Sequence, residues 1–168
     1  MNVSSLAHAL LPEFEHELAN TRKTLARIPE GKNDWKPHAT SMELMALATH
    51  IAQIYFWMSW TIREAEFDAV QAPQERPSIG TAAELVAFLD RNAAEAKAAL
   101  LEATDEVLLT PWTLRNGEQV FFTMPRIAVL RGMIFNHMVH HRAQLTVYFR
   151  MLGVPVPSLY GPSGDEAF

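Results

Sequence analysis

Asn136-His137-Met138-Val139-His140-His141-Arg142-Ala143-Gln144-Leu145 lies inside a helical pattern that runs from Pro125 to about Leu152. Thr123 and Pro125 offer a hydroxyl cap followed by proline in a first turn, and Gly153 is a stop signal. Ile134, Met138, Leu145 and Tyr148 mark the inward face. His137 and His141 share it, because a step of four residues rotates a side chain by only ~40° along a helix. Two imidazoles so placed can hold one ion at ~2.0–2.1 Å per bond. His140 points ~100° away from His141. It reads as a partly exposed histidine near the surface, with a pocket donor or base as the alternative.

Working outward, the partner for this helix is a second one, expected from about Met42 to Asp68. Thr40-Ser41-Met42-Glu43 has the form of a capping box, and Leu44, Leu47, Ile51, Ile54, Met58 and Ile62 form its apolar stripe. His50 belongs to that stripe, ~13 Å into the helix. If the two helices are neighbours, His50, His137 and His141 meet at similar depth. A cation shared among them would satisfy three inward imidazoles whose burial is otherwise costly. Tyr55, Phe56, Trp57 and Trp60 widen the stripe and read as core filling, with a ligand platform as the rarer alternative.

Two further helices complete the pattern. One runs from about Val3 to Arg27, with Pro12 inside it and Pro29-Glu30-Gly31 ending it. The other starts at the capping box Thr81-Ala82-Ala83-Glu84 and runs to about Ala103. Lys32–Ala39 and Gln71–Gly80, the latter with Pro73 and Pro77, are connections. Leu108–Met124 carries Asn116-Gly117 between β-prone flanks, which predicts a small hairpin. Pro155, Pro157 and Pro162 predict an extended tail. The fold expected is all-α: a four-helix bundle with a hairpin-like insertion before the last helix, one domain over residues 1–168.

Composition narrows the function classes. Of 168 residues, 20% are charged, and the net charge of -5 comes with no Lys/Arg block. Nucleic-acid binding lacks the basic face it would need. The chain has no cysteine, which removes disulfides, thiolate catalysis and Cys-ligated metal sites. No apolar run reaches membrane-spanning length, and no signal-peptide pattern opens the chain, so the expected setting is cytoplasmic. Glu13-x-x-His16 matches half of a di-iron motif, but no second Glu-x-x-His exists. HExxH is absent, since residues 137–141 read HMVHH. Arg142 and Gln144 read as solvated neighbours of the pair, as do His8, His16 and His38 elsewhere.

Four stretches together resemble the DinB family of bacterial helical-bundle metalloproteins: Asp34-Trp35-Lys36-Pro37, Leu47-Ala48-Thr49-His50-Ile51, Asn136 to Leu145, and Pro157-Ser158-Leu159-Tyr160 through Asp165. The resemblance implies antiparallel second and fourth helices and a long crossover. It implies one divalent metal ion, zinc or nickel, on His50, His137 and His141. It also implies a homodimer, and relatives that include thiol S-transferases and a mycothiol-dependent isomerase. Two function classes follow. One is a metal-dependent transferase or hydrolase acting on a small-molecule substrate, with a low-molecular-weight thiol supplied as cosubstrate because the chain has none. The other is a non-catalytic module in which the metal staples a dimer or senses metal supply. No catalytic residue beyond the ligands is assigned.

Overall fold

The computed structural model describes residues 5–71 and 77–167. The expected helix start at Val3 and the loop proline Pro73 lie outside the described residues. Four long helices carry the fold: α1 (Ser5–Leu25), α2 (Leu44–Arg63), α3 (Ala82–Glu102) and α6 (Asn136–Leu152). Between α3 and α6 come a short helix α4 (Asp105–Leu109), strands β2 (Pro111–Asn116) and β3 (Gln119–Pro125), the single turn α5 (Arg126–Val129), and a π-helical segment over Leu130–Phe135. Strand β1 (Glu66–Asp68) follows α2.

Side-chain pairings give the helix directions. Tyr148 donates to the Met42 carbonyl at 3.2 Å, while His50 and then Trp57 meet His137, so α2 and α6 are antiparallel. Asn92 donates to the Ala52 carbonyl and Arg63 bonds Glu102, so α2 and α3 run the same way. Arg22 meets Asp90 and Lys97 meets Glu15, which sets α1 antiparallel to α3. Two parallel neighbours require a long return, and residues 64–81 supply that crossover. The core between the helices is built from Phe14, Leu47, Ile51, Ile54, Tyr55, Leu85, Leu89, Ala96, Leu145 and Phe149, all buried. Alanines at 93, 96 and 99 on α3 allow close approach and favour helix.

Several helix ends differ from expectation. The box at Thr81 forms in full: its hydroxyl accepts from the Glu84 amide, and the Glu84 carboxylate accepts from the Thr81 amide at 3.0 Å. The box at Thr40 does not. Helix α2 starts at Leu44, with Glu43 at its N-cap making no side-chain cap, because the Thr40 hydroxyl is taken by His38 Nδ1 at 2.9 Å. Helix α2 also stops at Arg63, short of Asp68. Residues 66–68 instead pair in parallel with 113–115, so the insertion is a three-stranded sheet ordered β1-β2-β3. The hairpin forms, with Asn116 opposite Gln119 and Gly117 at φ +59 in the two-residue turn. Only glycine enters that region without strain. Thr123 belongs to β3 and bonds Thr113 across the strands at 2.9 Å, so it caps nothing. Pro12 sits inside α1, which continues through it. Gly153 ends α6 at φ +71, as expected.

The tail does more than extend. It folds back on α1: Arg27 donates to the Pro155 carbonyl and Lys23 to that of Ser158. Glu166 bridges Arg27 and Lys23, and Asp165 pairs with Arg150 at 2.6 Å. The Arg27 and Lys23 cations hold the Glu166 carboxyl down at about 2. Arg150, then the Val156 amide, lowers Asp165. Both folded pKa values lie below those of the free carboxylates, ~4.3 and ~3.9. The clamp's contribution is therefore complete above those free values and is lost as pH falls from ~4 towards 2. The amides of Val156 and Ser158, which donate to these two carboxylates, are expected to be protected from hydrogen exchange at pH 6. Relative to intrinsic rates, they should lose that protection first at pH 2.5. Equal protection at both pH values would contradict the clamp.

Candidate metal centre

Antiparallel packing of α2 on α6 brings His50 onto the same level as His137 and His141. One ring nitrogen from each lies within 4.8 Å of the others. The ring centroids are 5.1 Å apart for His50 and His137, 4.7 Å for His50 and His141, and 4.6 Å for His137 and His141. All three are half-buried. The sharpest observation is that His50 Nε2 faces His137 Nε2 at 3.3 Å. Two neutral imidazoles can hydrogen-bond this way, but the separation is beyond the usual ~2.7–3.2 Å for nitrogen donors. It equals the ~3.3–3.4 Å expected between two nitrogens bound tetrahedrally at ~2.0–2.1 Å to one ion. The donor set of three imidazoles fits a divalent first-row metal.

The surrounding groups orient the rings. Gln144 Oε1 lies 2.7 Å from His141 Nδ1, so that nitrogen carries the proton and Nε2 is left as the lone-pair donor. His137 Nδ1 is buried and makes no hydrogen bond of good geometry among the described residues. The Met133 carbonyl is nonetheless near enough to favour the charged ring slightly. Burial, then the neighbouring His141, outweighs it and holds His137 below the usual histidine value. A ring held neutral keeps its lone pair. Trp57 braces the group, stacking on His137 at 5.8 Å and meeting His50 edge-on at 5.3 Å.

The π-helical segment feeds this site. Its wider turn admits an extra residue, which lets both Ile134 and Phe135 be buried before α6 resumes with His137, Met138 and His141 facing the bundle. Nothing in the local sequence pattern of Leu130–Phe135 marks that turn.

Two of the sequence expectations need correction here. Arg142 is not a solvated neighbour: it is 1% exposed and forms a buried ion pair with Glu17. It also donates to the Thr21 hydroxyl at 2.9 Å, and the Tyr160 hydroxyl bonds Glu17 at 2.8 Å. Anchored on the residue next to His141, this network fastens α6 to α1 and to the tail. A lone arginine beside histidines gave no hint of a carboxylate 125 residues away. Trp57 packs against the core as expected, but it and Trp60 have a second role. They border a cavity of about 250 Å³ that reaches His137. Gln144 is exposed as expected, but it serves the site. His140 is exposed, its ring 5.0 Å from that of His141. His8, His16 and His38 are exposed and lie outside the group. Glu13 pairs with Arg131 and His16 with Asn20, so the apparent di-iron half-motif has other partners.

No helix among the described residues is long and apolar enough to cross a membrane. The fold is that of solved DinB-like proteins. One from Bacillus subtilis (YjoA) superposes with a TM-score of 0.71 at 22% identity, covering 90% of this chain and 97% of that one. One from Bacillus cereus ATCC 10987 gives 0.66 at 24% identity, covering 91% and 97%. The uncharacterized protein YrdA of Bacillus subtilis (strain 168) is 34% identical over 100 residues, which is 57% of this chain and 55% of that protein. The chain thus spans about half the length of that curated relative. The model of the DinB family matches residues 1–167. With the bundle, the crossover and the histidine group all in place, this chain belongs to the DinB family.

Proposed function

We propose that this protein is a metal-dependent enzyme acting on small molecules, with His50, His137 and His141 as ligands to one divalent ion. The observation that carries the reading is the group itself. It brings together three imidazoles and, among the described residues, no fourth His, Asp, Glu or Cys. Structural zinc sites are closed by four protein ligands, whereas catalytic ones keep a position for water or substrate. An ion held there supplies Lewis acidity, lowering the pKa of a thiol or water that reaches the remaining position.

The chain's own residues set the terms of that chemistry. Gln144 fixes the His141 tautomer, Trp57 holds two of the rings in place, and burial keeps His137 neutral. The family's thiol S-transferases favour transfer of a low-molecular-weight thiol, with hydrolysis second. The thiol must come from solution, since the chain has no cysteine. Zinc or nickel as the ion, a homodimer, a cytoplasmic setting and one domain over residues 1–168 belong to the same reading, and the family resemblance supports them. The test is turnover by metal-loaded protein across a panel of small thiols and electrophiles, each read against its protein-free background. Conjugation that scales with metal occupancy and disappears in His137→Ala is the expected result. No turnover anywhere in the panel would overturn the enzymatic reading.

A further inference from the structure

The cavity beside the histidine group is walled by Trp57, Trp60, Trp112, Phe122, Leu114 and the His137 ring. Its walls come from α2, from all three strands of the sheet, and from the run of α5, the π-helical segment and the start of α6. The sheet inserted before the last helix therefore builds one side of it. A void of about 150 Å³ lined by aliphatic and aromatic groups takes up benzene, and this one measures about 250 Å³. A second cleft, of about 320 Å³, shares Trp57 with it and is bordered by Thr49, His50 and Gln53. The histidine group thus touches an apolar chamber through His137 and a more polar cleft through His50.

We infer that the apolar cavity holds the aromatic part of the substrate, a group of one or two fused rings, with its reactive end towards His137. The inference rests on the proposed metal-dependent reaction for its function, and on geometry alone for binding. A charged or sugar-like group would be stripped of water against an almost wholly apolar wall, which offers its hydroxyls few partners. Such a group is disfavoured there. Flat rings, in contrast, meet tryptophan and phenylalanine faces on several sides and gain by stacking and edge contacts. A polar thiol cosubstrate has the Thr49–Gln53 cleft as its approach. The two partners of a conjugation then reach the histidine group through different pockets.

Naphthalene is the probe. The chain has four tryptophans, of which Trp57, Trp60 and Trp112 border the cavity while Trp35 packs on Tyr148 away from it. In a titration followed by the indole N–H signals in NMR spectra, those three should shift saturably and Trp35 should stay still. Glycerol should move none of them. The expected Kd is on the order of 10–100 µM, within reach of a ligand of ten carbons. Leu114→Trp, which fills the cavity from β2, should weaken binding at least tenfold. His141→Ala removes a proposed ligand that does not border the cavity, and should leave naphthalene binding intact while metal content falls. Absence of saturable shifts in the wild type up to the solubility limit would overturn the inference, as would wild-type affinity in a folded Leu114→Trp. Naphthalene binding to a wild type that takes up no metal would uphold the cavity and sink the metal reading alone.

Discussion

Arg142→Ala is expected to lower the unfolding free energy by about 3–5 kcal/mol, the usual result of breaking a buried ion pair from one side. The Arg142 side chain is 1% and that of Glu17 7% exposed. Removing the guanidinium leaves the Glu17 carboxylate inside the bundle with the Tyr160 hydroxyl but no cation beside it, and it strips the Thr21 hydroxyl and the Glu17 carbonyl of a donor. For a chain of this length the loss corresponds to a fall in Tm of roughly 6–20 °C. Arg22→Ala is the control, because Arg22 and Asp90 are 48% and 37% exposed and such pairs contribute about 0–1 kcal/mol. Replacing both buried partners, Glu17→Leu with Arg142→Met, should recover much of the loss, since no charge is then stranded. Thermal and denaturant melts measure all four proteins. A single Arg142→Ala variant as stable as Arg22→Ala would contradict the assignment of this pair as a buried fastening.

The second large effect concerns affinity for the ion. Loss of a group that only orients a ligand typically costs 10–100-fold. Gln144→Ala removes the acceptor on His141 Nδ1 and touches no proposed ligand atom, so it should fall in that range. His137→Ala deletes one of three ligands and should cost more than ~100-fold. Competition against a chelator of known affinity measures both. An ordering in which the two variants weaken binding equally, or in which Gln144→Ala has no effect, would contradict the arrangement described. Because Gln144 is exposed and Arg142 is not, the two neighbours of His141 separate cleanly: one variant changes affinity with little change in stability, the other the reverse.

What could be read from the sequence was what depends on local periodicity. The helical spacing of Leu44 to Ile62 and of Ile134 to Tyr148 located α2 and α6, and the four-residue step placed His137 and His141 on one face. Their meeting with His50 needed only that the helices be neighbours, at comparable depth. The hairpin was legible for the same reason, through Asn116-Gly117 and its β-prone flanks. What escaped was set by partners far away. Residues 66–68 form a strand only because 113–115 offer a parallel edge. Trp57 and Trp60 line a chamber because that sheet holds Trp112, Leu114 and Phe122 across from them. Arg142 is buried because α1 supplies Glu17. The box at Thr40 failed on competition, its hydroxyl taken by a histidine two residues before it.

X-ray absorption at the metal edge of the loaded protein tests the shared ion most directly. One ion per chain is expected, with three imidazole nitrogens at ~2.0–2.1 Å, falling to two in His50→Ala. A protein that binds no ion stoichiometrically, or a first shell of oxygens unchanged by that substitution, would contradict it.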